Sequence, residues 1–269
     1  MSRGVHSSAG TACTDPTSVR VVLAQQEPVP RRIDENVHRV LSILEEHHDA
    51  DLVVFPELFL TGYTTVDLWE LQLAPESQPV TVLRNACNHH RTALIVGFIE
   101  QAGPGPYNSM LMIDDTGAIA GIYRKTHLFD GEAEAFTPGG NLRCVKLGEV
   151  TVAPLICFDI ELAEPARKLA IDGADVIVSI AANMDPYYGD HELAGRARAL
   201  DNRLPHLYVN RPGSEGPFDF VGGSRIIGPD GTVLGQAGPR EETLTGSVII
   251  GGPVAHAVDY LEHLRPELY

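Results

Sequence analysis

An apolar run from Val150 to Ile156 stops at a thiol, Cys157, and gives way to an acidic, helix-compatible stretch from Asp159 to Ala170. A buried strand that turns into a helix at a cysteine presents the sulfur at a sheet edge. Backbone N–H groups of the turn then face whatever the sulfur attacks. Free cysteine also serves as a small buried hydrophobe, so this residue alone does not separate a nucleophile from packing. A thiol with an ordinary pKa of about 8.5 needs a base or a neighbouring positive charge to attack at neutral pH. Two other segments supply such groups. Asp51-Leu-Val-Val-Phe-Pro-Glu57 ends an apolar run on a carboxylate, which burial makes costly unless it is paired or used. In GAIAGIYRKTHLF, Lys125 closes a run of alternating hydrophobics. Carboxylate, ammonium and thiol at three strand ends can meet at one sheet edge and balance one another's charge. Taken singly, Glu57 suits a helix N-terminus and Lys125 a solvated strand end.

The elements that must carry these residues alternate along much of the chain. Val19–Ala24 reads as a strand, and 33–46 as a helix with Ile33, Val37, Val40, Leu41 and Leu44 on one face. Strands follow at 52–55, 93–100, 109–114, up to Lys125, and at 150–156, with a helix at 79–90. After Cys157 the pattern gives a helix, a strand at 175–180, a helix at 192–202, and strands at 206–209, 223–227, 232–236 and 243–250. Pro229-Asp230-Gly231 is a turn, and a short helix precedes Arg265-Pro266. Residues 1–17 have no periodic apolar pattern and read as a disordered extension; no repeat or linker divides residues 18–269. Alternating strands and helices predict an α/β or α+β fold of layered sheets with outer helices.

Taken together, FPELFLTGY around Glu57, YRKTHLF around Lys125 and LICFDIE around Cys157 resemble the motifs of the carbon–nitrogen hydrolase (nitrilase/amidase) superfamily. The second glutamate that this family places between lysine and cysteine matches Glu132 in GEAEAFTPGG. AANMDPY near Asn183, RARALDNRLPHLYVNR and GGSRIIGPDGTVLG extend the likeness from about Val19 to the last residue. Within the superfamily the chain is most similar to the aliphatic amidases of amino-acid amides, of which 5-aminopentanamidase is an example. CFDIE, ANM-x-PY and the ending DYLEHLRPELY carry that similarity. Where that branch reads CYDxEFPE, this chain has Cys157-Phe-Asp-Ile-Glu-Leu-Ala-Glu164, with the proline moved to Pro165. Proline is tolerated in a first helical turn. The change bears on the pocket wall rather than on the chemistry.

The resemblance implies a four-layer α-β-β-α sandwich, often a homodimer or higher homo-oligomer. It implies hydrolysis of a small aliphatic carboxamide through a cysteine thioester. Cys157 would be the nucleophile and Glu57 the general base. Lys125 and the Phe158 N–H would stabilise the oxyanion, and Glu132 would orient Lys125 or the substrate. Asn183 and Tyr63 are expected to line the pocket. Asp159 and Glu161 are candidates to receive a substrate ammonium, and serve equally as acids capping a helix start. Tyr187 and Tyr188 suit either a lid or packing. An N-carbamoyl amidohydrolase or a nitrilase would use the same residues. A non-catalytic binding protein on the same scaffold would have little reason to keep them charged.

Composition narrows the partners. A formal charge of −16 over 269 residues argues against phosphate neutralisation of nucleic acid. No run approaches the roughly 18 apolar residues needed to span a membrane, and Met1 to Thr17 lacks the apolar core of a signal peptide. The four cysteines form no C-x-x-C pair, and a reduced cytoplasmic setting is expected. His47-His48 and His89-His90 are adjacent pairs, and His191-Glu192 lacks a second histidine four residues on, so no metal is expected. GPGP and VGGS fit no phosphate-binding loop, so no nucleotide cofactor is expected.

Overall fold

The structure, a computed structural model, describes residues 16–251 and 258–268. The first half of the chain runs β1 (Thr17–Gln25), α1 (Ile33–Glu46), β2 (Leu52–Val54), α2 (Gln78–His90), β3 (Ala93–Ala102), β4 (Gly105–Ile113) and β5 (Ile119–Arg124). Then come α3 (Glu132–Ala135), β6 (Val145–Leu147), β7 (Val150–Ile156), α4 (Ala163–Ile171), β8 (Val176–Ala181), α5 (Tyr188–Asn202) and β9 (His206–Asn210). The last strands are β10 (Pro212–Glu215), β11 (Phe218–Val221), β12 (Arg225–Ile227), β13 (Val233–Gln236) and β14 (Glu242–Ile250).

Alternation within the strands builds the layers. In β1, Val21 and Leu23 face one way and Val22 and Ala24 the other, because successive side chains leave opposite faces of a strand. Val21, Leu23, Leu52, Val54 and Ile95 join Val152, Ile156, Val178, Ile180 and Val209 in a core between two sheets. Val22, Val53, Leu94 and Val96 instead pack under α1 and α2, on Val37, Val40, Leu44, Val80 and Leu83. On the far side, Ala153, Leu155, Ile177 and Ala181 pack with Ala166 and Leu169 of α4 and Ala194 of α5. Each fully buried aliphatic side chain contributes about 1.5–3 kcal/mol. The result is the expected four-layer α-β-β-α sandwich.

One sheet has the order β14-β1-β2-β3-β4-β5, the other β13-β12-β9-β8-β7-β6. β1, β2 and β3 are mutually parallel, as are β7, β8 and β9. The antiparallel pairs β3–β4 and β4–β5 return β5 to the direction of β3. The segments after β2 and β5 therefore emerge on the same edge.

Several boundaries differ from the sequence reading. Residues 1–15 of the expected extension lie outside the described residues, and Thr17 already pairs with Ile250 as the first residue of β1. β6 and the β10–β11 hairpin were not anticipated, and α5 begins at Tyr188 instead of Glu192. Cys157 opens a short 3₁₀ turn, Cys157–Ile160, with the α-helix starting only at Ala163.

Gly97 in β3 is where two backbones come closest. A Cβ there would lie 2.3 Å from the Leu58 nitrogen, 2.6 Å from the Pro56 oxygen and 2.7 Å from the Glu57 carbonyl carbon. Gly97→Ala must push the Glu57 segment off the sheet. Displacement of this kind is expected to lower by about 10²-fold the amide turnover that the family resemblance implies, and to lower the melting temperature. Steady-state kinetics beside a melting curve check this; turnover near wild type would separate Glu57 placement from Gly97.

Candidate active site

The ends of β2, β5 and β7 bring the sequence-predicted groups to one edge of the sandwich. Glu57 follows β2 and is wholly buried, and Lys125 follows β5 with 1% of its surface exposed. The Lys125 N–H donates to the Asn108 carbonyl at 2.9 Å, so the β4–β5 pairing runs on to the ammonium-bearing residue. Glu132, 1% exposed, opens α3. Its carboxylate turns back to accept from the Phe129 N–H at 2.9 Å.

Lys125 sits between the two carboxylates. Its Nζ lies 2.8 Å from Glu57 Oε1, 2.8 Å from Glu132 Oε2 and 3.0 Å from Glu132 Oε1. An ammonium this deep is tolerable only because opposite charges surround it. Desolvation works to lower the Lys125 pKa, but the charges of Glu132 and Glu57 outweigh it and hold the pKa well above the ordinary lysine value. Glu132 shifts upward, chiefly by burial and also by the Glu57 charge, with Lys125 opposing. Glu57 is fixed from both sheets: Asn108 Nδ2 donates to Oε1 at 2.7 Å and the Ala182 N–H donates to Oε2 at 2.7 Å. Asn108 Nδ2 also lies 3.4 Å from Glu132 Oε1.

Cys157 has φ +47, a left-handed conformation that costs a non-glycine residue on the order of 1–3 kcal/mol. That turn lifts the thiol off the end of β7 toward the same edge. Cys157 as a residue is half-buried, and burial of the thiol pushes its pKa well above the usual value. The Glu57 charge adds to the rise, while Lys125 and the Ala182 N–H oppose it. The resting residue is therefore a thiol beside a carboxylate, and its proton must leave as it attacks.

A narrow cleft opens at the sulfur, lined by Phe129, Phe158, Glu161, Asn183, Tyr187 and His191 among others. Phe129 makes edge contacts with Phe158 at 5.6 Å and with Tyr187 at 5.3 Å between ring centroids. Phe158, Asn183 and Glu161 thus reach the cleft expected of them. Tyr188 turns away toward Arg225.

Two expectations are corrected. Asp159 does not face a substrate; it is fully buried. Its Oδ1 accepts from Thr126 Oγ1 at 2.8 Å and the His127 N–H at 2.9 Å, and its Oδ2 from Tyr123 O–H at 2.8 Å and the Ile156 N–H at 3.1 Å. It ties the Lys125 loop to the Cys157 turn. Tyr63 is buried and not among the residues lining the cleft, its O–H donating to Glu132 Oε1 at 3.1 Å. Burial, then the Glu132 charge, raises that phenol far above the usual tyrosine value and keeps it a donor. Sequence reasoning missed Asn108, although an asparagine entering the apolar run MLMI of β4 was a signal. It also missed His191, whose Nε2 lies 3.2 Å from Glu161 Oε1. Among the described residues, no group of three or more His, Cys, Asp or Glu side chains is arranged to hold a metal ion.

Two outcomes follow from this geometry. Because the Glu57 charge helps raise the thiol's pKa, Glu57→Gln is expected to move thiolate formation to lower pH while cutting amide turnover by about 10²–10⁴-fold. Thiolate absorbance measured by difference against Cys157→Ala checks the sign; an upward shift contradicts it. Asp159→Asn replaces one acceptor oxygen by an NH2 donor that faces donors, and is expected to cost roughly 3 kcal/mol or more in chemical denaturation. Asp159 also raises the His127 pKa by hydrogen bonding, against desolvation. That part of the stability is complete below the ordinary histidine value and fades as pH rises through the folded one. The variant should lose this dependence.

A family profile described as carbon–nitrogen hydrolase matches residues 20–251. A protein of Pseudomonas protegens named "Hydrolase in pqqF 5'region" is 35% identical over 97% of this chain and 94% of its own. An (R)-stereoselective amidase of a Pseudomonas species is 40% identical over 72% of this chain and 71% of its own. Among solved structures, a mutant of the amidase from Nesterenkonia sp. AN1 in complex with butyramide superposes with a TM-score of 0.80 at 26% identity, covering 93% of this chain and 95% of that one. The chain belongs to the carbon–nitrogen hydrolase family.

Proposed function

We propose that the protein hydrolyses a small aliphatic carboxamide to a carboxylate and ammonia through a thioester on Cys157. The observation that carries this reading is the Lys125 ammonium clamped between Glu57 and Glu132 beside a raised thiol. Relatives named as amidases, and a related amidase with butyramide bound, support an amide as the substrate.

Glu57 takes the thiol proton as sulfur attacks the amide carbon, so no separate thiolate has to persist. The carbonyl oxygen gains the negative charge, and the Lys125 ammonium with the Phe158 N–H stabilises it, commonly the largest catalytic term. The C–N bond breaks with the proton on Glu57 passing to the departing ammonia. The sulfur keeps the acyl group. A water then gives a proton to Glu57, attacks the thioester carbon, and releases the carboxylate; the proton returns to sulfur. Glu132 remains bonded to Lys125 throughout and holds it toward the oxyanion. The reading includes a reducing cytoplasmic setting, which keeps the sulfur a thiol, and assembly as a homodimer.

A nitrile or an N-carbamoyl amine suits the same residues, and a relative from Pyrococcus abyssi named "Nitrilase" is 36% identical over 83% of this chain. Product analysis separates an N-carbamoyl substrate, which also yields carbon dioxide; a nitrile ends in the same carboxylate and ammonia as the amide, so it is separated by comparing rates on matched nitrile and amide substrates. Cys157→Ala is expected to abolish release of ammonia from short amides. Hydroxylamine added to the wild type should intercept the acyl group as a hydroxamate. Turnover surviving in Cys157→Ala removes the sulfur from the mechanism. Amide binding by the wild type without turnover would indicate a binding protein.

A further inference from the structure

We infer that Glu215, on the β10–β11 hairpin, is a positioning residue that acts through Tyr63 on the Glu132–Lys125 pair. The inference rests on the amidase reading for the reaction it serves.

The argument starts at Arg211, which follows β9 and is wholly buried. Its N–H donates to the Ala181 carbonyl at 3.3 Å, beside the Ala182 amide that bonds Glu57. Burial pulls the guanidinium pKa below its ordinary value, and Glu215 opposes that fall. Arg211 Nη1 donates to Glu215 Oε2 at 2.5 Å, and the guanidinium lies over the Phe220 ring at 4.1 Å. Its Nη2 has no hydrogen-bond partner among the described residues, which leaves Glu215 as the ion-pair partner of this buried charge. Glu215 keeps 11% of its side chain exposed, so water screens the pair little.

The same oxygen, Oε2, accepts from the Tyr63 N–H at 3.0 Å. Tyr63 in turn donates its O–H to Glu132 Oε1, the oxygen that also holds Lys125 Nζ. The hairpin holds the ring as well as the backbone. Phe218 and Phe220 meet Tyr63 edge-on, at 5.5 Å and 5.7 Å between centroids. Gly62 makes the approach of the acid possible, since it holds φ +80 and a Cβ there would lie 2.7 Å from Glu215 Oε1. Glu215 itself is not among the residues lining the cleft. It fixes where Tyr63 sits, Tyr63 fixes one oxygen of Glu132, and Glu132 aims the ammonium.

A double-mutant cycle between Glu215 and Tyr63 tests the assignment. It compares kcat and KM on a short amide for the wild type, Glu215→Ala, Tyr63→Phe and the combined variant, beside melting curves. Glu215→Ala is expected to lower kcat ~10-fold or more while KM stays within about twofold. Glu215→Gln keeps an oxygen for both donors and should recover most of that loss. With Tyr63→Phe already present the phenol link is gone, and Glu215→Ala should then lower kcat by less than about threefold. Arg211→Met with Glu215→Leu removes both charges and leaves neither unpaired, so it repeats the cycle should Glu215→Ala fold poorly. Equal losses in both Tyr63 backgrounds overturn the inference, as does a kcat unchanged by Glu215→Ala.

The rate at which iodoacetamide alkylates Cys157, followed on the Cys157 peptide by mass spectrometry, reads the same cycle without turnover. There the sulfur displaces iodide, a C–S bond replaces the C–I bond, and the thiol proton passes to Glu57. Coupling in alkylation with no hydrolysis of any amide would defeat the amidase reading and leave the positioning role standing. Hydrolysis without coupling would do the reverse.

Discussion

Placing an ammonium in a dry interior is the constraint on which this molecule depends. Lys125 has lost nearly all contact with water, and an uncompensated charge there costs several kcal/mol. Glu57 and Glu132 provide the compensation, but two carboxylates around one ammonium leave an excess of negative charge. That excess is managed by donors: Asn108, Tyr63 and the Phe129 and Ala182 N–H groups each give a hydrogen to one of the two acids. Burial first, and then the charges of the same two carboxylates, push the neighbouring thiol toward its neutral form. Pairing the lysine and keeping the sulfur protonated at rest are thus one electrostatic arrangement.

Layering follows from the need to hold that cluster. Glu57 and Lys125 leave one sheet and Cys157 leaves the other, so neither sheet alone contains the site. Apolar packing between the sheets sets their spacing. At the edge where the groups meet, Leu58 and Cys157 both hold left-handed backbone. Asp159 braces the second of these turns by accepting from the β7 end and from the loop after Lys125. An acid that looked suited to ligand binding is fully occupied in holding two catalytic segments together.

The layers and the reacting groups were legible in the chain because local periodicity and strand-end charge record them. Val21 to Ala24 and Val37 to Leu44 show which faces are buried without reference to the rest of the fold. Pro212–Glu215 (PGSE) was not legible as a strand because proline, glycine and acid make it up, and Phe218–Val221 (FDFV) because it is only four residues long. Their pairing rests on one another and on a bridge from Phe220 to Met184. Asp159 stood open between receiving an ammonium and capping a helix start; it does the second, accepting from the Ile156 N–H, while its further partners Tyr123, Thr126 and His127 come from a distant segment. Asn108 was overlooked because its value lies in bonding Glu57 and Glu132, neither of which is near it in sequence.

The two oxygens of Glu57 bond to opposite halves of the sandwich, Oε1 to Asn108 and Lys125, and Oε2 to the amide following β8. One short side chain thereby spans the seam, like a pin through two plates. Any sliding of one plate over the other by about an ångström would stretch a hydrogen bond past its useful range. Chemical competence is accordingly a sensitive gauge of how the halves are aligned, responding to slippage too small to disturb either plate alone.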